Sequence, residues 1–126
     1  MIDEKNAGND YILQKASEYG RLDIIKYIVS MRVNGSYNYI VSYACQYGQL
    51  NIIKFLVGNG VDITIKNNMA FLIACTRGYL NLVKFLVNKN KYGINYSSSI
   101  ECAKLKNNKN IVKFLKSKQL KLCSIM

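Results

Sequence analysis

Apolar residues recur along this chain in short blocks at helical spacing, and the blocks themselves repeat. Between Tyr43 and Gly60 the sequence YACQYGQLNIIKFLVGNG reads as a helix end, a tight turn, a second helix and a stop. The same order appears in KASEYGRLDIIKYIVS from Lys15, IACTRGYLNLVKFLVNKN from Ile73 and CAKLKNNKNIVKFLKSK from Cys102. The small residue before each turn is Ala16, Ala44, Ala74 and Ala103, at intervals of 28, 30 and 29 residues. A lysine in each second helix, Lys26, Lys54, Lys84 and Lys113, keeps the same intervals and is followed each time by an aromatic residue: Tyr27, Phe55, Phe85 and Phe114. Three columns in one register establish an internal repeat.

Each repeat predicts two helices. The first carries Leu13, Val41, Phe71 or Ile100, with the alanine three residues later, so the pair makes one buried face. The small alanine admits a neighbouring helix closely. Asp10, Asn38, Asn68 and Ser97 are capping residues and place the first-helix starts at Tyr11, Tyr39, Met69 and Ser98. Gly20, Gly48 and Gly78 stop these helices, and Asn107 takes that place in the fourth repeat. A left-handed residue past a helix end is cheapest as glycine, and asparagine is the next choice. The second helix follows at once, with a broad apolar face such as Ile24, Ile25, Tyr27, Ile28 and Val29. One such helical hairpin cannot bury both its faces, but a stack of four can. Gly35, Gly60 and Gly93 mark turns in the connectors, and 60–64 reads as a stop, a turn and a short extended run.

The pattern divides the chain into a flexible N-terminus at 1–9, repeats at 10–37, 38–66 and 67–96, a degenerate capping repeat at 97–118 and a tail at 119–126. In the fourth repeat Lys109 replaces the leucine of the column Leu22, Leu50 and Leu80, as suits the exposed end of a stack. The tail carries Leu120, Leu122, Ile125 and Met126 and reads as folding back over the last helix or as a docking segment, the first being favoured.

Composition adds a charge asymmetry. Residues 1–63 hold six Lys/Arg and six Asp/Glu, whereas residues 64–126 hold twelve Lys/Arg and one acid, Glu101. The net charge of +11 therefore lies wholly in the second half. It reads either as an electropositive patch for nucleic acid or another anionic partner, or as a solvated lysine-rich surface from biased composition. The second reading is favoured, also for the lysine column. Tyr27 and Tyr43 sit at core-like spacing, which argues against an array of tyrosines for stacking bases.

Catalysis finds no support. The chain has no His, no CxxC pair and no phosphate loop, so neither catalytic, cofactor-binding nor metal-ligating residues are assigned. Cys45 and Cys75 read as small core fillers. No apolar run approaches the ~20 residues of a membrane span, and the N-terminus lacks an apolar leader segment. A reduced intracellular compartment, such as the cytoplasm, is expected, without secretion.

The run from Ala44 to Ile63, with the helix-one alanine, turn glycine, paired branched apolar residues and the closing Gly60-Val61-Asp62-Ile63, resembles the ankyrin repeat. The resemblance covers about Asp10 to Lys118. The units are shorter than the usual ~33 residues, and YILQ, YIVS, MAFL and SSIE stand where the family has Thr-Pro-Leu-His. Short repeats of this composition resemble those of large DNA viruses and protists. The resemblance implies an all-α solenoid of stacked helical hairpins with short or truncated β-turn fingers, lacking the Thr–His tie between repeats. It implies a monomeric, non-catalytic module that binds a protein partner through its concave face. By position the binding residues would be Glu18, Tyr19, Asn38, Gln46, Tyr47, Asn68, Thr76, Arg77, Leu105 and Lys106. Tyr19, Tyr47 and Arg77 lead, since aromatic residues and arginine dominate interaction hot spots.

Overall fold

The computed structural model describes residues 4–31, 38–63, 65–90 and 93–125. These residues form eight helices and no strand, in two compact units, residues 1–63 and 64–126. The first unit contains α1 (Glu4–Glu18), α2 (Leu22–Met31), α3 (Asn38–Gln46) and α4 (Leu50–Gly58). The second contains α5 (Ile65–Arg77), α6 (Leu80–Asn90), α7 (Tyr96–Leu105) and α8 (Lys109–Ile125). Within each unit two helical hairpins stack, first helix on first helix (α1 on α3, α5 on α7) and second on second (α2 on α4, α6 on α8).

The repeat columns become the layers of each unit's interior. Leu13, Val41, Phe71 and Ile100 are buried, as are all four recurring alanines. Alanine there lets paired first helices approach without a gap, because any larger side chain would force one helix away. Cys45 and Cys75 are fully buried and fill the next position.

The turn between helices is built the same way four times. The amides of Arg21, Gln49, Tyr79 and Asn108 donate to the carbonyls of Ala16, Ala44, Ala74 and Ala103 at 2.8, 2.8, 3.1 and 2.9 Å. Each bond spans five residues and closes over a left-handed residue, the arrangement that satisfies the orphan carbonyls of a helix end. The left-handed residues are Gly20, Gly48, Gly78 and Asn107, the last at φ +60°. The carbonyls of Arg21, Gln49, Tyr79 and Asn108 then accept the first amide bonds of α2, α4, α6 and α8. One residue thus ends one helix and begins the next.

Several expected boundaries are corrected. α1 begins at Glu4 and not at Tyr11, and α5 begins at Ile65, so Asn68 lies inside a helix instead of capping it. A helical interior costs asparagine only a few tenths of a kcal/mol, too little to fix the helix start. α7 is capped by Asn95 and not Ser97: the Asn95 side-chain oxygen accepts from the Ser98 amide at 3.1 Å. Ile94 and Tyr96 are both buried and anchor the entry to that helix. The tail does not fold back. Residues 119–125 continue α8, leaving Leu120 exposed and Leu122 half-buried. No Pro or Gly interrupts this stretch, so the helix propagates. The connector at 32–37 with Gly35 lies outside the described residues, and among those described no extended finger forms around Gly60 or Gly93.

Tyr27 is also corrected, from core to surface. It is 67% exposed, whereas Phe55 and Phe114 in the same column are half-buried. The reason is an inter-hairpin ladder. Lys26 Nζ lies 5.6 Å from the Phe55 ring centre, and Lys84 Nζ lies 5.7 Å from that of Phe114. Each lysine covers the aromatic residue of the following hairpin, an attraction of about 0.5–1 kcal/mol at exposed sites. No described hairpin precedes Tyr27 to supply that cover.

Candidate functional site

The surface that varies from repeat to repeat lies where each first helix runs into its turn. The backbone there is fixed by the turn bonds, so the side chains two and three residues past each recurring alanine project from a rigid frame. In the first unit these are Glu18 with Tyr19, and Gln46 with Tyr47. In the second they are Thr76 with Arg77, and Leu105 with Lys106.

Their states differ. Tyr19 is 70% exposed and Leu105 82% exposed, and Arg77 and Lys106 are exposed. Tyr47 is half-buried, and its hydroxyl accepts from Gln14 Nε2 at 3.4 Å, which joins it to α1. Glu18 is half-buried and pairs with Lys15 at 3.2 Å. That hydrogen bond and the Glu18 charge hold the Lys15 ammonium above its usual range. The Thr76 hydroxyl donates back to the Leu72 carbonyl at 2.8 Å, so its proton serves the helix. Gln46 is half-buried. Asn38 opens α3 and Asn68 lies within α5, and their side chains are outside those described. The structure therefore brings Tyr19 and Tyr47 to adjacent turns of the first unit, and Arg77, Leu105 and Lys106 to adjacent turns of the second.

Two structural residues in this region escape the sequence reading. Gln49 Nε2 donates to the Glu18 carbonyl at 3.4 Å. Asn108 Nδ2 donates to the carbonyls of Cys75 at 2.8 Å and Thr76 at 3.0 Å. Gln49 leaves the N-terminus of α4 without a side-chain cap, and both amides satisfy orphan carbonyls at the end of the preceding hairpin's first helix. This tie joins the two hairpins within each unit. The visible signal was the amide residue directly after the left-handed position in the second and fourth repeats.

The charge boundary and the structural boundary coincide. The first unit is balanced, and the second carries the whole excess of +11. Burial pushes the Cys45 and Cys75 thiols up to about 12, which keeps both protonated and unreactive at neutral pH. Among the described residues no group of three or more His, Cys, Asp or Glu could hold a metal ion. No helix among them is long and apolar enough to cross a membrane.

A family model described as ankyrin repeats (3 copies) matches the chain over residues 2–67 and again over 41–124. No curated protein matches it. The two overlapping matches run through both units and all four turns.

Proposed function

Because the chain belongs to the ankyrin-repeat family, whose repeats generally mediate protein–protein interaction, we propose that it is a non-catalytic module that recognises a protein partner through the turn row of each unit. The observation that carries this reading is the exposure of Tyr19, Arg77, Leu105 and Lys106 on turns whose backbone and neighbouring columns are fixed. Rigid presentation lowers the ordering cost of binding, exposed Tyr supplies large contact area on two torsions, and Arg adds a planar charged fork. Tyr47, held by Gln14, serves as a pre-positioned rim residue. The four free cysteines fit a reducing intracellular setting.

The test is quantitative capture of proteins from the source cell by wild-type protein and by Tyr19→Ala, Arg77→Ala and Tyr27→Ala variants. Tyr27 is equally exposed but lies on α2, off the row. The expected result is loss of the same partner with the first two variants and retention with the third. Retention by all three, or equal loss with all three, refutes a role for the turn row.

A further inference from the structure

The outer face of the last hairpin carries a second surface. α7 and α8 enclose an open groove of about 360 Å³, lined by Lys104, Lys109, Lys113 and Lys116, with Asn107, Asn108 and Val112 between them. On α8 the residues Lys109, Val112 and Lys116 follow one another at i, i+3 and i+7, so they form one stripe with Lys113 beside it. α8 contains five lysines and no acidic residue. Like charges three and four apart on a helix repel, and nothing in α8 offsets them. The one acid of the second unit, Glu101, pairs with Lys104 at 3.6 Å. Lys109, Lys113 and Lys116 have no ion-pair partner among the described residues.

The geometry points to this groove as a docking site for an extended acidic peptide of a partner protein, with two carboxylates flanking one apolar side chain. Lys109 and Lys116 are about 10 Å apart along the helix axis at 1.5 Å per residue. In an extended peptide, side chains on one face are about 7 Å apart, so the first and fifth residues bracket the third at about 13 Å. Long flexible lysine side chains take up the difference. The carboxylates then meet Lys109 and Lys116, the apolar residue rests on Val112, and Lys104 and Lys113 line the sides. Single-stranded nucleic acid fits less well, because the groove offers no aromatic ring or guanidinium on which a base would stack. This surface begins beside the fourth turn, where Leu105 and Lys106 lie between Lys104 and Asn107, and runs from there along α8, away from the first three turns.

The experiment uses a fluorescent peptide with the core Glu-Ser-Leu-Ser-Glu, a matched peptide with glutamine for glutamate, and a fluorescent oligouridylate, each titrated by anisotropy. The protein is the full chain, as wild type, as the triple variant Lys109→Gln/Lys113→Gln/Lys116→Gln and as the control Lys118→Gln/Lys121→Gln. The acidic peptide is expected to bind and the glutamine peptide not to. The triple variant should weaken binding about tenfold or more, and the control, off the groove on the same helix, by less than about twofold. Tyr19→Ala and Arg77→Ala should leave peptide affinity unchanged, which separates this surface from the first and third turns. Circular dichroism checks that the helices persist, and Lys113→Gln alone repeats the comparison at smaller amplitude. Equal weakening by the triple variant and the control would show dependence on net charge alone and overturn the proposal. So would tighter binding of oligouridylate with the same lysine dependence, or no binding of the acidic peptide at low salt.

Discussion

Two glycines offer a matched measurement of what holds consecutive hairpins together. Gly78 ends α5 and Gly60 follows α4, each left-handed, at φ +86° and +79°. Each precedes the amide that closes a five-residue span, Tyr79 to Ala74 and Val61 to Leu56. They differ in surroundings. A Cβ at Gly60 would meet nothing within 4 Å, whereas one at Gly78 would lie 2.9 Å from Asn108 Oδ1. Alanine at either position bears the left-handed strain, about 1–2 kcal/mol. At Gly78 it must also displace the Asn108 amide. A side-chain end usually moves cheaply, but this one donates at 2.8 and 3.0 Å to two carbonyls. Losing two such bonds costs about 1–2 kcal/mol net. Gly78→Ala is therefore expected to cost about 2–4 kcal/mol and Gly60→Ala about 1–2 kcal/mol. Urea unfolding followed by circular dichroism measures both, with m-values compared to confirm that one transition is being read. The decisive step repeats both substitutions in an Asn108→Ala background, where the excess at Gly78 should disappear. Equal costs in the wild-type background, or an excess that survives removal of the Asn108 amide, would refute the claim that this amide joins the hairpins.

Other expectations follow from single atoms. Ser17 Oγ is fully buried without a hydrogen-bond partner, in the column that holds Cys45 and Cys75, so Ser17→Ala should raise stability by about 1 kcal/mol, read as a shifted urea midpoint. Asn107 sits at φ +60°, so Asn107→Gly should stabilise by up to about 1 kcal/mol and Asn107→Ala should destabilise, both measured by thermal melting. Cys123 is exposed and Cys45 and Cys75 are buried, so a thiol reagent at pH 8 should label Cys123 at once and the buried pair only on unfolding. Because burial raises those two thiols from 9.0 to about 12, the folded state keeps protons that the unfolded chain releases. Their contribution to stability is complete below pH 9 and is lost as pH rises toward 12, so unfolding temperature should fall across that window.

The hairpins were legible in the sequence because their determinants are local. A turn needs a residue that tolerates positive φ, and Gly20, Gly48, Gly78 and Asn107 announce it in one register. The core was legible for the same reason: Leu13, Val41, Phe71, Ile100 and the four alanines face inward because helical periodicity gives them no other place. Helix starts were less legible, since Asn95, Ser97 and Asn68 are all competent caps and burial of Ile94 and Tyr96 decides between the first two.

What only the tertiary structure decided is which side chains meet across hairpins. Asn108 reaches Cys75 and Thr76 from 33 and 32 residues away, and Gln49 reaches Glu18 from 31. Lys26 and Lys84 cover aromatic rings of the next hairpin, while Lys109, Lys113 and Lys116 gather on one groove. As sequence, all five belong to the same lysine-rich composition. Their separate roles arise because stacking brings a second helix within reach of some and leaves the others facing water. Repetition along the chain therefore determines the fold. Contact between copies determines which residues are committed to stability and which remain to recognise a partner.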